Sequence, residues 1–389
     1  MTAPNLQPGQ RLELDISTVA FGGDGVGRVD HFVVFVPFVV GGERVEAEIV
    51  EVKRRYATAD LVRVIAPSPH RVAPRCPYYT RCAGCQYQHM DYAHQLELKR
   101  AQIREVLERI GKIADPPVAP VVASPRPYHY RNKLVVHGPG VPGFWSVRGR
   151  EIIPITQCPI AREPIHARLT EPLAVNTHLT LRCDSDGKVY VFAEPAPEEL
   201  IVEELIGRRL EVPLGSFFQV NPEVIALAIE QVRAAFRDGG CRTLVDAYCG
   251  VGVFALYLAD LADHVYGVER DERAIAAANV NAVRLGLTRY DFYAGSTDRL
   301  LFYVLRQCQL DQTCLILDPP RSGCGKQVLK TLARQHPRQV LYISCAPPML
   351  ARDLQELLRC GYRLERVTPL DMFPQTQHCE VIAELRSEA

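Results

Sequence analysis

A cysteine stands at the end of an apolar run late in the chain, where residues 342–347 read Tyr-Ile-Ser-Cys-Ala-Pro. Its position at the tip of a predicted strand, ahead of a helix N-terminus, is expected to favour the thiolate of Cys345. A thiolate is the form that attacks carbon in covalent catalysis. Because a lone cysteine is more often a small buried hydrophobe, the position and not the residue type makes Cys345 a candidate nucleophile.

Three carboxylates follow or precede other apolar runs. Asp318 begins Asp-Pro-Pro-Arg-Ser-Gly, and the two prolines stiffen the loop so that it can hold the acid against a flat polar ligand. Glu380 closes the segment Phe-Pro-Gln-Thr-Gln-His-Cys-Glu and could serve as a general base. Glu269 ends a further run, where a carboxylate can accept both hydroxyls of a ribose.

A glycine turn lies between an apolar run and a helical pattern at residues 245–252, which read Val-Asp-Ala-Tyr-Cys-Gly-Val-Gly. Glycines there let the backbone approach a ligand closely. With residues 253–255 the turn fits the loose dinucleotide pattern Gly-x-Gly-x-x-Ala. NAD and S-adenosylmethionine both suit this turn, and the Asp-Pro-Pro-Arg loop, which a dehydrogenase does not need, favours the second.

Four cysteines form a possible metal-binding set: Cys76, Cys82, Cys85 and the isolated Cys158. Such thiolates suit zinc or an iron–sulfur cluster. Zinc sites usually use two close pairs, whereas three cysteines and a distant fourth fit a [4Fe–4S] cluster better. The spacing and the fourth cysteine argue against a radical enzyme. We expect a structural cluster, with a redox-active one as the alternative.

Composition limits the class of protein. The chain has 389 residues, of which 47% are hydrophobic and 23% charged, and this is ordinary for a globular protein. The apolar runs are too short for a membrane-spanning helix, and the N-terminus does not resemble a signal peptide. Thirteen cysteines without an export signal point to a reducing cytoplasm.

Local basic patches replace an overall positive charge. Lys plus Arg and Asp plus Glu both number 45, so the formal net charge is zero. Residues 53–75 hold six basic side chains and one acid, and residues 126–168 hold seven basic side chains and two acids. Two such windows beside the motifs above predict a nucleic-acid-binding face.

The elements that must position these residues fall into two parts of the chain with different secondary-structure patterns. Residues 12–18, 32–36, 44–52 and 58–64 read as strands of a small β domain, with a glycine-rich turn at 22–27. Residues 91–110 read as a helix whose apolar face holds Leu96, Ile103, Leu107 and Ile110.

The second pattern, an alternation of strands and helices, begins at residue 216. Apolar strands are predicted at 243–247, 264–268, 291–294, 313–317, 339–343 and 381–385. Helices separate most of them, for example at 272–285 and 348–358, and Asn221-Pro222 is a good helix start. The alternation predicts a doubly wound α/β domain with a mainly parallel sheet, in which ligands bind at the carboxyl ends of the strands.

Taken together, these motifs resemble the RNA uridine-C5 methyltransferase family over nearly the whole chain. The cysteine segment 81–89, the segment Tyr-Arg-Asn-Lys at 130–133, the segment Ser-Phe-Phe-Gln-Val-Asn at 216–221 and the four motifs of the α/β domain match in order. Two positions depart from the family pattern, since Val253 replaces a polar residue and Met349 a threonine. The resemblance covers a set of motifs, which is far more specific than any one of them.

The resemblance implies a fold in three parts. These are an N-terminal TRAM β-barrel (1–66), a small central α+β iron–sulfur and RNA-binding domain (67–92 and 122–215), and a Rossmann-like S-adenosylmethionine methyltransferase domain (93–121 and 216–389). It also implies a monomer that contains a [4Fe–4S] cluster bound by the four cysteines.

The resemblance also implies the chemistry. Cys345 would add to C6 of uracil so that C5 can attack the methyl group of S-adenosylmethionine, and Glu380 would remove the C5 proton. Asp318 and Gln219 would hold the uracil or the cofactor, Tyr248 the adenine or the methionine moiety, and Glu269 the ribose. The target base must leave its stack to reach the thiol.

Two other classes of protein are the alternatives: an RNA-binding or folding factor without catalysis, and a nicotinamide oxidoreductase with an iron–sulfur cluster. Intact Cys345, Asp318 and Glu380 disfavour the first. A TRAM domain combined with a four-cysteine set resembles the 23S rRNA branch of the family more than the tRNA branch. We therefore expect a 23S rRNA substrate, with tRNA as the alternative.

Overall fold

The computed structural model describes residues 6–138, 140–171 and 178–388. Its N-terminal part is one six-stranded sheet with the order β1-β5-β6-β4-β3-β2. The strands are β1 (Arg11–Asp15), β2 (Thr18–Val19), β3 (Gly25–Val29), β4 (Phe32–Val36), β5 (Arg44–Val52) and β6 (Tyr56–Ala66). Alternating apolar residues of these strands form one core, in which Leu14 of β1 packs against Gly27 of β3. The predicted glycine turn is too long, because its second half is strand β3.

Helix α1 (Tyr92–Arg109) follows the cysteine-bearing segment. Asp91 caps it by accepting a hydrogen bond from the backbone N–H of His94 at 2.9 Å, as the predicted boundary implies. The predicted apolar face is partly wrong, since Ile110 is exposed and three polar residues, Gln95, Lys99 and Gln102, are buried instead. Helix α1 therefore presents polar groups to the rest of the protein.

The central part contains a five-stranded sheet with the order β11-β10-β7-β8-β9 and a separate hairpin of β12 and β13. Its elements are β7 (Lys133–His137), β8 (Gly143–Trp145), β9 (Ile152–Pro154), α2 (Glu163–Arg168), β10 (His178–Cys183), β11 (Val189–Phe192), β12 (Leu200–Leu205) and β13 (Arg208–Pro213). One face of the sheet packs on a small core that includes Leu134, Val136 and Leu181.

The C-terminal part is a seven-stranded sheet with the order β16-β15-β14-β17-β18-β20-β19. Its strands are β14 (Thr243–Ala247), β15 (His264–Glu269), β16 (Tyr290–Ala294), β17 (Thr313–Leu317), β18 (Gln339–Ser344), β19 (Tyr362–Leu370) and β20 (Glu380–Ser387). The first five strands of this order pair in parallel, and β20 and β19 pair antiparallel at one side.

Helices cover both faces of this sheet, which confirms the predicted doubly wound α/β arrangement. They are α3 (Pro222–Gly239), α4 (Val253–Leu258), α5 (Glu272–Arg284), α6 (Thr297–Leu305), α7 (Lys326–Leu332) and α8 (Pro347–Arg359). The first three share a core on one face, and α6, α7 and α8 share a core with α1 on the other. The segment after α1 joins the sheet edge, where Val118 pairs with Val367. The limits of the three predicted domains stay a prediction.

Within the described ranges, no helix is both long and apolar enough to cross a lipid bilayer.

Candidate active site at the carboxyl edge of the parallel sheet

Cys345 and Glu380 lie side by side because of the register of two antiparallel strands. Ser344, the last residue of β18, pairs with Val381 of β20, so the next position on each strand brings Cys345 beside Glu380. Cys345 is half-buried and stands just ahead of α8, whereas Glu380 is 4% exposed. The ladder thus joins two residues that are 35 positions apart in the sequence.

Asp318 and Arg321 come from the loop after β17, the parallel neighbour of β18. Since Leu317 pairs with Tyr342, this loop emerges at the same edge of the sheet as Cys345. The positive charge of the Arg321 guanidinium acts on both the Cys345 thiol and the Glu380 carboxylate. Sequence reasoning did not assign a role to Arg321, although the charge next to Asp-Pro-Pro was the available signal.

Burial and like charge dominate the electrostatics of this edge. Burial raises the pKa of the Cys345 thiol; Glu380 and Asp318 raise it further, whereas Arg321 lowers it. The expected thiolate at the helix N-terminus is therefore wrong for the free protein, because burial and two acids outweigh one guanidinium. Burial, and then the charge of Asp318, also raise the pKa of Glu380 well above its usual range. Burial, followed by Glu269, raises the pKa of Asp318 to about 7.

The glycine turn leads from β14 into α4 at the same edge. Gly250 has a φ of 55° with open space where a side chain would point, and Gly252 has a φ of 84° against Leu256. Tyr248, which is not a glycine, also adopts a positive φ of 74°. Positive φ is costly for residues with a Cβ and often marks a functional site. The open space at Gly250 leaves room for a ligand beside the turn.

Glu269 is the last residue of β15 and lies beside the glycine turn. Its carboxylate accepts hydrogen bonds from the backbone N–H groups of Gly250 at 3.2 Å, Arg270 at 2.6 Å and Asp271 at 2.9 Å. A carboxylate has about four acceptor positions, so these three bonds fix the side chain and leave capacity for a hydroxyl. The structure thus places Glu269 directly beside the glycine turn.

Asp246 lies in β14, two residues before Tyr248. It is a buried acid to which sequence reasoning assigned no role. Its Oδ2 accepts a hydrogen bond from the N–H of Ala255 at 3.0 Å, whereas its Oδ1 is buried without a hydrogen-bond partner among the described residues. Burial raises its pKa to about 7, and the charges of Asp318 and Glu269 add to the shift. Asp246 therefore holds the start of α4 against the sheet.

Gln219 lies in the loop before α3 and is 9% exposed. Its carbonyl accepts a hydrogen bond from Asn132 Nδ2 at 3.2 Å. Asn221 caps α3 and donates from Nδ2 to the Met372 carbonyl at 3.3 Å, and Tyr130 donates to the Pro374 carbonyl at 3.1 Å. The motifs at 130–133, 216–221 and 373–380, which are far apart in the sequence, therefore meet here.

The four candidate metal-binding cysteines line one cavity of about 410 Å³. Burial raises the pKa of each thiol, to about 12 for Cys158. The backbone N–H of Gly84 donates a hydrogen bond to Cys82 Sγ at 3.4 Å. In the described part of the chain, no group of three or more Cys, His, Asp or Glu side chains is arranged to hold a single metal ion.

The cysteine cavity extends to the active-site edge. Arg321 and His378 line it from one side, and Arg131 and Lys133 from another. The cysteine segment also holds the loop before Glu380, since the N–H groups of Gln86 and Tyr87 both donate to the Gln375 carbonyl at 3.0 Å. The cavity is therefore lined by residues that are close in sequence to Asp318 and Glu380.

The two basic windows of the sequence meet in space. Arg148 of the second window forms an ion pair with Asp60 of the first. Arg75 stacks on the ring of Tyr128 with its guanidinium carbon 4.3 Å from the ring centroid. The windows therefore form adjoining parts of one surface between the N-terminal sheet and the central sheet.

Comparisons with known proteins agree with this arrangement. A sequence model of the family described as tRNA (uracil-5-)-methyltransferase matches residues 186–387, and one of the TRAM domain matches residues 5–62. An RNA methyltransferase of Halalkalibacterium halodurans, itself uncharacterized, is 33% identical, with 96% of each chain covered. An uncharacterized RNA methyltransferase of Gloeobacter violaceus is 32% identical, with 98% of this chain and 97% of the relative covered.

A solved structure has the same fold. The Pyrococcus abyssi tRNA (uracil-54, C5)-methyltransferase in complex with S-adenosyl-L-homocysteine superposes with a TM-score of 0.73 at 24% identity. The match covers 96% of this chain and 100% of that one.

Proposed function

Because the chain belongs to the tRNA (uracil-5-)-methyltransferase family and carries a TRAM domain, we propose that it transfers a methyl group from S-adenosylmethionine to C5 of one uridine in an RNA. The observation that carries the proposal is the pair Cys345 and Glu380, set side by side at the ligand-binding edge of the sheet. A nucleophile beside a base is the arrangement that covalent catalysis at uracil requires.

Cys345 acts as the nucleophile in this proposal. Its Sγ forms a bond to C6 of uracil, and the electron pair of the C5–C6 double bond moves toward the C4 carbonyl. C5 then bonds to the methyl group, and the sulfonium sulfur of the donor leaves with its electron pair. The Arg321 guanidinium, whose charge lowers the pKa of the Cys345 thiol, favours the thiolate needed for the first step.

Glu380 acts as the general base. After methyl transfer it removes the proton from C5, the double bond re-forms and Cys345 leaves as a thiolate. A carboxylate with a raised pKa is a stronger base than one in water, and burial gives Glu380 that property. Asp318, whose pKa is raised to about 7, holds the polar edge of the uracil or the cofactor.

Residues around the glycine turn fit the methyl donor. S-adenosylmethionine supplies an activated methyl group when bound. Glu269 would accept a ribose hydroxyl with its remaining acceptor capacity, Tyr248 would contact the adenine or methionine moiety, and Gln219 would lie between cofactor and base. The open space at Gly250, where a Cβ would meet nothing within 4 Å, supports a ligand at this position.

The four cysteines would hold a [4Fe–4S] cluster with a structural role. Their shared cavity and the Gly84 N–H that donates to Cys82 Sγ support a cluster, because hydrogen bonds to sulfur are typical of iron–sulfur sites. The hydrogen bonds from this segment to Gln375 would then pass its order on to Glu380. If oxidising the cluster without losing it changed the methylation rate, the structural role would be wrong.

The RNA target in this proposal is 23S rRNA. The combination of a TRAM domain and a four-cysteine segment supports rRNA, and a tRNA uridine is the second candidate because the superposed archaeal enzyme acts on tRNA. The basic surface formed by the two windows would contact the phosphates of either RNA.

Tritium release tests the activity and the target together. The protein is purified without oxygen and mixed with S-adenosylmethionine and transcripts of 23S rRNA or tRNA that carry tritium at uridine C5, with Cys345→Ala as the control. Release from rRNA alone supports the full proposal, and release from tRNA alone overturns the target. No release from either RNA, with cofactor bound, would favour a non-catalytic RNA-binding factor.

A further inference from the structure

Three aromatic side chains form a row on the surface of the central sheet. The ring of Trp145 lies 5.4 Å from that of His137, measured between centroids, and His137 lies 6.3 Å from His178. We call these three residues the aromatic strip. Trp145 is 45% exposed and is the single tryptophan of the chain. A large aromatic ring left open to solvent often marks a binding surface.

Strand register places the strip on one open face of the sheet. His137 of β7 pairs with Gly143 of β8 and with His178 of β10. Because side chains alternate along a strand, Trp145 shares the face of Gly143 and His137. Leu134 and Val136 point the other way, into the core. The strip is thus held rigidly by three adjacent strands.

Strand β7 connects the open face of the strip to the border of the cysteine cavity. Lys133, Val135 and His137 alternate along β7 on this face, and Val135 is itself exposed. The cavity meets β7 at Lys133, Leu134 and Val135, and Arg321 and His378 line it as well. Four residues of strand span roughly 13 Å, so the strip lies within a short length of RNA from the site.

Two exposed arginines lie in the segments next to the strip. The cysteine segment pairs with the strand end at Trp145, since the N–H of Ala83 donates to the Trp145 carbonyl at 3.0 Å and that of Val147 to the Arg81 carbonyl at 2.9 Å. This pairing brings two exposed arginines, Arg81 and Arg148, into the segments that flank Trp145, and Arg148 is the one that is ion-paired with Asp60. Partial burial, and then the neighbouring His178, lower the pKa of His137, so its ring is uncharged at neutral pH.

We propose that the aromatic strip is a stacking platform for unpaired bases that flank the target uridine. Aromatic rings flanked by basic side chains are the combination with which proteins bind single-stranded nucleic acid, because every base offers a π face and every nucleotide a phosphate. The proposal rests on the proposed function only for the choice of RNA as the ligand. It adds a site that receives bases other than the one methylated.

Tryptophan fluorescence tests the strip directly, because Trp145 is the single source of the signal. The full-length protein is titrated with a twelve-nucleotide single-stranded oligoadenylate, and binding is followed in parallel by the anisotropy of the labelled RNA. We expect quenching that saturates with the same Kd as the anisotropy. A duplex of equal length is expected to quench less, because its bases are already stacked.

Variants sharpen the test. Trp145→Ala is expected to weaken RNA binding by about 5- to 100-fold, the range typical of one stacked base, and Trp145→Phe by less. His137→Ala keeps the fluorophore and is expected to weaken both binding and quenching. It provides the test if Trp145→Ala does not fold. Tyr303→Ala, which removes a 65% exposed ring on α6, is the matched control and should bind as the wild type does.

Several results would overturn the platform. These are RNA that does not bind, RNA that binds without quenching, an unchanged Kd in Trp145→Ala and His137→Ala, or quenching that rises with protein concentration without RNA, which would indicate a contact between copies. Quenching with bound RNA but no tritium release would overturn the proposed methylation and leave the platform standing.

Discussion

Two regions that bury charged groups differ in whether the charges are paired. The carboxyl edge of the parallel sheet collects acids of like charge, Asp246, Asp318 and Glu380, whose pKa values burial raises. The interface between α1 and the loop before β20 pairs its charges instead, with Lys99 Nζ 2.5 Å from Asp371 Oδ1. We call this second region the buried polar interface, formed by Gln95, Lys99, Gln102, Asp371 and Gln375.

The difference separates reactivity from rigidity. In the buried polar interface, Gln95 Nε2 donates to Gln375 Oε1 at 3.1 Å, and the backbone N–H of Gln375 donates to Gln95 Oε1 at 3.2 Å. Lys99 Nζ also donates to the Phe373 carbonyl at 3.2 Å. Satisfied polar groups in a buried site fix one arrangement. At the sheet edge Asp246 and Asp318 lack such a cation, and their pKa values of about 7 let them exchange protons near neutral pH. The buried polar interface thus holds in place the loop that leads to Glu380, and the sheet edge contains Glu380 itself.

The largest expected effect comes from removing the base at the sheet edge. Glu380→Gln keeps the shape and the neighbouring Cys345 but cannot accept the C5 proton, so we expect turnover to fall by about 10²–10⁴-fold. The covalent complex with RNA should accumulate and be visible as a shifted band on a denaturing gel. Turnover close to that of the wild type would show that another group removes the proton.

The next effect concerns the paired region. Lys99→Met leaves Asp371 buried without its cation, and we expect the free energy of unfolding to fall by about 3–5 kcal/mol in urea titrations. The double variant Lys99→Met, Asp371→Asn removes both charges and should recover much of the loss. If the single and double variants were equally stable, the ion pair would not be the source of rigidity.

Asp246 provides the matching test at the sheet edge. An unfolded aspartate ionises near pH 4, whereas the pKa of Asp246 in the fold is about 7. Between these values the folded protein binds more protons, so Asp246 makes stability fall as the pH rises from about 4 to 7. Asp246→Asn cannot ionise and still accepts from Ala255.

We expect Asp246→Asn to stabilise the protein at pH 8 by on the order of 2–4 kcal/mol and to change it little at pH 4. Urea unfolding at both pH values measures this difference. A variant that is less stable than the wild type at pH 8 would contradict the assignment of an unpaired buried acid.

The smallest effect is expected at Arg321. Because its guanidinium is the cation that lowers the raised pKa of Cys345, adduct formation with 5-fluorouracil RNA should increase with pH from 7 to 9 in the wild type. In Arg321→Ala the profile should move to higher pH, with a loss of about 10-fold at pH 7.5. Lysine restores a positive charge, so Arg321→Lys should recover part of the rate. A profile that keeps its shape would limit Arg321 to binding.

The sequence alone predicts the strands of the sheet well, for a physical reason. Strands β14 and β17 match their predicted limits, because a parallel strand buried on both faces is a continuous apolar run between turn residues. The prediction failed for α1, where Gln95, Lys99 and Gln102 are buried. No local pattern marks a polar residue as buried, because its partners lie in Gln375, Asp371 and the Val19 carbonyl.

The candidate site divides in the same way. Residue types and spacing were enough to select Cys345, Asp318 and Glu380, since each follows or begins an apolar strand. Only the tertiary structure decided that Cys345 and Glu380 are neighbours, because strand register joins them. It also decided the protonation of the thiol, because a pKa depends on burial and on charges that the chain brings together from distant segments. The sequence determined which groups are available, and the fold determined what each one faces.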